Sequence, residues 1–373
     1  MESEKIGFAE ALCVLLIINL SHLVLTLPKT ILKTQGSSSI LNIIYVTLLG
    51  VLAIFILTAL YKNFRGKDIL DISEFLFGRA FKVIIGFIFI TYFLFVASLL
   101  LRNTSENLKT MYFQNTPIPY IVFFLVLAVG FISKFSLKNI IKCNLVIVPL
   151  IIVSLSGIFI FSSGSFTFER VFPILGYGAK NTFINGMSNI FIFGNMILLF
   201  FIMPMLKDFN NYSKVSFISI LLSGLFVLLT ITSILLIFPL DIASSSNVSI
   251  YLQTREITFG KLIQRSDAFF VLIWILTMLS YLSISVGFTL RIFKKITNIQ
   301  NSSAVSYLFI AILYGISLLY TNIVQIRNFT SDAYKYIFII AVFGFCFSSL
   351  IIANIKKYFQ NTTQRRRNKN AFN

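Results

Sequence analysis

The chain has 373 residues, 57% of them hydrophobic and only 12% charged. A water-soluble domain carries about twice that share of charge, so much of the apolar surface must face lipid; outer-membrane barrels are excluded because their strands are short and alternate polar with apolar residues. The formal net charge of +18 does not point to nucleic acid, because Lys and Arg fall between the apolar runs, where anionic lipids are the expected partners.

In chain order, Met1-Glu2-Ser3-Glu4-Lys5 is acidic on balance and offers no secretory cleavage pattern, so the first apolar run is kept as a helix. Apolar runs lie at about 10–33, 40–61, 81–103, 118–135, 140–162, 183–206, 215–239, 268–291, 304–321 and 334–355. Each has the length needed to cross a hydrocarbon core of ~30 Å, and backbone polar groups in lipid must bond within their own segment, which makes the runs helices. The expected fold is an all-α, polytopic membrane domain of ten spans covering residues 1–359.

Basic residues set the orientation. Lys62, Arg65, Lys67, Arg79 and Lys82, then Lys134, Lys138 and Lys142, then Arg291, Lys294 and Lys295, and finally Lys356, Lys357, Arg365, Arg366, Arg367 and Lys369 fall on one side of ten spans. The positive-inside rule places that side, with both termini, in the cytoplasm. Asp68–Phe77 is expected as a short helix on the inner face. In the longest loop, at about 240–267, the half containing Arg255, Glu256, Lys261, Arg265 and Asp267 reads as an amphipathic surface helix. The basic tail, 360–373, lacks an apolar period and is expected to be disordered. Cys13, Cys143 and Cys346 have no metal or redox spacing and read as small core residues.

No enzyme signature is present: the chain has one histidine, His22, and no carboxylate pair within a run, phosphate loop, CxxC or HExxH motif. No cofactor is implied. Binding is the better reading. Ten spans divide into five and five, and because five is odd the halves have opposite orientation, as in inverted-repeat transporters. The first span of each half then carries unusual polarity: Asn19, Ser21, His22 and Leu23 with Leu27-Pro28 in span one, and Ser188, Phe191, Gly194 and Asn195 with Pro204 in span six. Polar groups at that depth need a cavity or a neighbouring helix, and broken helices there offer free backbone groups to a ligand. Tyr281 and Ser285, one turn apart in span eight, and Tyr92 and Ser98 in span three are expected to line the same cavity. Trp274 reads as an interfacial anchor, and Arg102–Glu106 is expected to reach the outer interface.

These stretches carry a resemblance. Leu27-Pro28, Gln35-Gly36-Ser37-Ser38, Asn144 to Pro149, Phe193-Gly194-Asn195 with Pro204, and Arg255-Glu256-Ile257-Thr258-Phe259-Gly260-Lys261-Leu262-Ile263-Gln264-Arg265 leading to Trp274 resemble the spore germination permease family, the B-type membrane subunits of nutrient germinant receptors. The resemblance implies a fold similar to the amino acid/polyamine/organocation transporters, with spans one and six unwound around a small molecule such as an amino acid. It also implies a place in the spore inner membrane beside A-type and C-type subunits. Two positions depart from the family pattern: Ser21 stands where Gly is frequent, and Asn195 where Glu is frequent, so a charge that could read a ligand amine is missing.

Three functions follow for comparison: a nutrient-sensing receptor subunit, an ion-coupled amino-acid transporter, and a helical channel or scaffold component with no ligand. His22 is the one proton-relay candidate expected inside the runs, and the scarcity of carboxylates there favours sensing over coupled transport.

Overall fold

The structure, a computed structural model, describes residues 5–23, 27–246, 248–257, 266–299, 303–320 and 334–370. Helix predominates and, among the described residues, the sole extended pairing is a parallel bridge between Ile6 and Leu206. The first half comprises α1 (Phe8–Leu23), α2 (Leu27–Gln35), α3 (Ser39–Tyr61), α4 (Ile69–Phe77), α5 (Arg79–Met111), α6 (Ile118–Ile132) and α7 (Leu137–Phe161). A broken helix follows: a π-helical turn (Lys180–Ile184) and a 3-10 segment (Asn185–Ile192) lead to α8 (Met196–Ile202) and a 3-10 turn (Met203–Met205). Then come α9 (Asn210–Ile237), α10 (Leu240–Ser245), α11 (Ser249–Glu256), α12 (Ser266–Thr297) and α13 (Ser303–Leu318). Finally, α14 (Tyr334–Ile339) continues through a π-helical stretch (Ile340–Phe347) into α15 (Ser348–Asn370).

Among the described residues, six helical stretches are long and apolar enough to cross a bilayer, and the pair Lys180–Ile192 and Met196–Met205, bent by 44°, makes a seventh when taken as one span. The chain is therefore a multi-pass membrane protein. Phe8–His22, Ile118–Ile132 and Ala304–Leu318 are apolar but short; about 15 residues at 1.5 Å each reach only ~23 Å of a ~30 Å core. The ten full-length spans expected from composition are thus seven of full length and three short ones. The runs overestimated these three because apolar loop residues such as Phe135 extend past the helix ends. The first run takes in α1, described to Leu23, and most of α2, which Gly36, at φ +62°, stops in the left-handed conformation before α3 begins.

Burial sorts the helices. The apolar centres of α5 and α12 are 67% buried, against 28% for α7, so α5 and α12 form the middle of the bundle and α7 its flank. On α3, Leu48, Leu52 and Phe55 are exposed at helical spacing, as are Val146, Val153 and Ile160 on α7. Apolar faces of this extent are unstable against water and belong against lipid tails.

At one end of the bundle, α4 is clasped from both sides. Asp68 caps it, accepting from the backbone of Leu70 and Asp71 at 3.0 and 3.1 Å. Lys295 of α12 reaches Asp68 and Asp71, each at 2.7 Å. Burial pushes the Asp68 carboxyl above the usual carboxylate range. Burial acts on Asp71 in the same sense, but the Lys295 ammonium and the hydrogen bonds around it outweigh that and hold Asp71 below its ordinary value. At the other end of α4, Lys356 of α15 donates to the carbonyls of Phe75 and Leu76, both at 2.8 Å, which suits a cation at a helix C-terminus.

Several expectations are corrected. Trp274 is fully buried in the core and not at an interface, because α12 is central and its neighbours close over the indole. The tail does not leave its helix at Phe359: α15 runs on to Asn370, there being no Gly or Pro to stop it. In the long loop the helices are α10 and α11, ending at Glu256; Lys261 and Arg265 lie outside the described residues. Cys346 is buried, but Cys143 is exposed on the lipid-facing flank.

Lys295→Met should lower stability in detergent by about 3 kcal/mol, because it leaves the Asp68 carboxylate buried without its cation. Adding Asp68→Asn should recover most of that loss. Chemical denaturation of the single and double variants measures the coupling.

Candidate ligand site at two helix breaks

The second break is built by Phe193-Gly194-Asn195. Phe193 leaves the helical region at φ −87°, ψ 55°, and α8 restarts at Met196. A Cβ on Gly194 would lie 2.9 Å from the Tyr334 hydroxyl, so only glycine lets that hydroxyl sit against the break. α1 is described to Leu23 and α2 from Leu27; the break expected in span one, at 24–26, and the Leu23 side chain lie outside the described residues. A direct hydrogen bond joins α1 to the second break: the backbone N–H of Asn195 donates to Asn19 Oδ1 at 3.1 Å. At the far end of the same pair, Ile6 donates to the Met205 carbonyl at 2.8 Å, and Lys5 Nζ to that of Pro204 at 3.0 Å. Residue 6 thus lies against 205 and residue 19 against 195, so α1 and the second broken segment touch at both ends with opposed chain directions.

Around this junction the interior is aromatic and short of polar partners. His22 stacks on Tyr334 at 5.8 Å between ring centroids and meets Tyr281 edge-on at 5.2 Å. Phe191 meets Tyr334 at 90° and 6.0 Å. A cavity of about 40 Å³ is bounded by His22, Thr30, Asn103, Phe191, Gly194 and Tyr334. Beneath it a void of about 10 Å³ is lined by Tyr92, Gly194, Tyr281, Ser285 and Tyr334. The upper space suits a few waters and is far below the ~300 Å³ of an ordinary ligand pocket. Four buried polar atoms find no protein partner here: Asn19 Nδ2, His22 Nε2, Asn195 Nδ2 and Asn195 Oδ1. Native interiors leave few such atoms without a structural or functional reason, and these lie on the last turns of α1 and at the break before α8.

The twelve residues read from the sequence separate in space. Asn19, His22, Phe191, Gly194 and Asn195 meet at the junction, with Tyr92, Tyr281 and Ser285 below. Ser21 is buried but donates to the Ile18 carbonyl of its own helix at 2.8 Å, and Ser98 likewise to Phe95 at 2.7 Å. Ser188 donates to Asn185 at 2.6 Å on an outward face. Its neighbour Asn189 points inward instead, donating to Asn42 Oδ1 at 2.7 Å, while Asn42 donates to the Thr182 carbonyl at 2.8 Å. This pair fastens the first half of the broken helix to α3.

Sequence reasoning missed Tyr334, whose place at the start of the last run resembles an interfacial tyrosine. The helix that carries Arg102–Glu106, α5, continues past them to Met111, and both side chains are buried within the bundle, with Arg102 Nη2 2.9 Å from Glu106 Oε1. His22 is therefore joined by a second titratable group in the interior, though one already held by a cation. Among the described residues, no three of His, Cys, Asp or Glu gather as a metal site. Asn144, from the resembling stretch in α7, accepts from Ser280 of α12 at 2.5 Å. Thr258 to Arg265 of the most specific stretch lie outside the described residues.

Removing the orphaned amide should stabilise the ligand-free protein. Asn195→Leu keeps the backbone N–H that binds Asn19 and should raise the melting temperature, since each unsatisfied buried polar group costs about 1–3 kcal/mol. Asn19→Leu removes the acceptor and should lower it. Thermal unfolding of the two variants in the same detergent checks the opposite signs.

The chain is matched over residues 5–330 by the family described as spore germination protein. It is 21% identical over 338 residues to spore germination protein KB of Bacillus subtilis (strain 168), covering 88% of this chain and 87% of that one. It is 23% identical over 301 residues to spore germination protein YndE of the same organism, covering 79% and 82%. To spore germination protein B2, also of that organism, it is 22% identical over 256 residues, covering 67% and 68%. A match across most of the chain, on a helical bundle with apolar spans and a broken helix, makes this protein a member of the spore germination permease family.

Proposed function

We propose that this chain is the nutrient-sensing membrane subunit of a spore germinant receptor, acting by binding and not by catalysis. In this reading the three short apolar helices also cross, giving ten spans with both termini cytoplasmic in the spore inner membrane, and A-type and C-type subunits complete the receptor. A small molecule such as an amino acid binds where α1 and the broken helix meet. The observation that carries the reading is the set of four unpaired polar atoms on Asn19, His22 and Asn195. A ligand bearing both donors and acceptors would satisfy them, while the rings of Phe191, Tyr281 and Tyr334 would pack its apolar part.

Since the junction holds only a small cavity, binding requires Tyr334 to move away from Gly194. That couples occupancy to the packing of α14, and a ligand favouring the opened arrangement shifts a pre-existing equilibrium. Asn195 has no charge for a ligand amine, which favours recognition by neutral hydrogen bonds. Glu106 is already matched to Arg102, so the interior offers no free carboxylate for proton coupling among the described residues.

The purified protein should show a thermal shift with one or a few amino acids, and Asn195→Leu should abolish that shift while the protein remains folded. In liposomes under an imposed proton or sodium gradient, no accumulation of the same amino acid is expected. Gradient-driven uptake would replace sensing by the transporter reading, and no shift with any nutrient would leave the scaffold reading. In spores, Asn195→Leu should raise the nutrient concentration needed for germination at least about tenfold, the weight of one or two hydrogen bonds lost from a buried site.

A further inference from the structure

The last helical stretch touches both the junction and the clasp on α4. From Tyr334 to Asn370 it is helical without interruption, through α14, the π-helical stretch and α15. Its buried side chains recur every four residues: Tyr334, Phe338, Val342, Cys346 and Leu350. In a 3.6-residue turn such a series drifts about 40° round the helix at each step. The π-helical stretch, Ile340–Phe347, has a wider turn and keeps the middle of the series on one face. Turns of this kind are rare inside helices and recur at functional sites. Here the turn is gripped on two sides. Phe345 packs on Phe81 and Phe89 of α5, at 6.4 and 5.8 Å between ring centroids, and Phe347 packs on Phe200 of α8 at 5.6 Å.

At one end of this stretch, Tyr334 stacks on His22 and its hydroxyl lies against Gly194. About 33 Å away at helical rise, Lys356 donates to the Phe75 and Leu76 carbonyls near the end of α4, and its ammonium lies 5.0 Å over the Phe75 ring. The neighbours of Lys356 hold the end of α3. Asn354 donates to the Leu60 carbonyl at 3.1 Å and accepts from Asn63 at 2.7 Å, and Lys357 donates to the Asn63 carbonyl. The start of α4 is held separately, by Lys295 of α12. The last turn of α4 is thus the part that depends on the final stretch. We propose that this stretch is a rod that carries the state of the junction to α4. While the Tyr334 hydroxyl rests on Gly194, Lys356 stays on Phe75 and Leu76. When Tyr334 leaves, the rod shifts about its π-helical stretch and releases the last turn of α4. The rod rests on the proposed binding function in one respect: a nutrient is what displaces Tyr334.

Gly194→Ala supplies the displacement without a nutrient, because its Cβ would lie 2.9 Å from the Tyr334 hydroxyl. Hydrogen–deuterium exchange of the full chain in detergent reads the outcome. The amide of Gly78, which donates to the Glu74 carbonyl at 2.8 Å, and the other amides of the last turn of α4 should exchange at least about tenfold faster, the weight of one hydrogen bond to a charged group. Those of α6 should stay within about twofold of the unaltered protein. Adding Tyr334→Phe removes the clashing oxygen and should restore slow exchange in α4. Lys356→Met should speed the same amides as much, and Gly194→Ala should add less than about twofold to it, since the two act in one chain of contacts. Tyr334→Ala stands in if Gly194→Ala does not fold, with the same increase expected. No change in α4, an increase that Tyr334→Phe does not relieve, or full additivity with Lys356→Met overturns the proposal. A nutrient-dependent thermal shift in a protein whose α4 ignores Gly194→Ala removes the rod and leaves the binding site. A response of α4 without any nutrient shift does the reverse.

Discussion

The hydrogen bond from the Asn195 backbone to the Asn19 side chain holds α1 and the broken helix in register. An interrupted helix in an apolar interior leaves backbone groups without intrahelical partners, and each must be met by something. Here a side chain from the end of α1 meets one group of the second break, and α1 in turn packs on α7, α9 and α12. The chain just before α1 is also fastened to the end of the broken helix through Ile6 and Lys5, so the two segments are tied at both ends.

The interior is polar in two different ways. Around Arg102 and Glu106 charge is present but matched within one helix, and such a pair gives little net stability while being costly to break. Around Asn19, His22 and Asn195 charge is absent and matching incomplete. A protein selected only for stability would have closed the second arrangement with leucine. Keeping it costs stability, which is the ground on which a binding role is proposed for this junction and none for the matched pair.

Much of this was legible in the residues. The apolar runs located every long helix, Gly194 and Asn195 marked the second break, and Tyr281 with Ser285 marked the facing helix. What failed did so for physical reasons. Arg102 and Glu106 satisfy each other at an i, i+4 spacing, so the helix runs on past the end of the apolar run to Met111. Trp274 could be placed only by knowing that α12 is central. Ser188 and Asn189 are adjacent and equally polar, and the 3-10 geometry of that segment, which a 3.6-residue period does not anticipate, decides which of them turns inward. Tyr334 has no local signal at all; its role arises from a contact with Gly194 across 140 residues of chain.

That contact joins distant parts of the chain. Tyr334, which touches His22, Phe191 and Gly194, comes from the last helical stretch and takes no part in the Asn19–Asn195 hydrogen bond. One wall of the cavity and the tie between the two segments that bound it are therefore set by different residues. The shape of the space can be altered at Tyr334 without loosening the register of α1 on the broken helix.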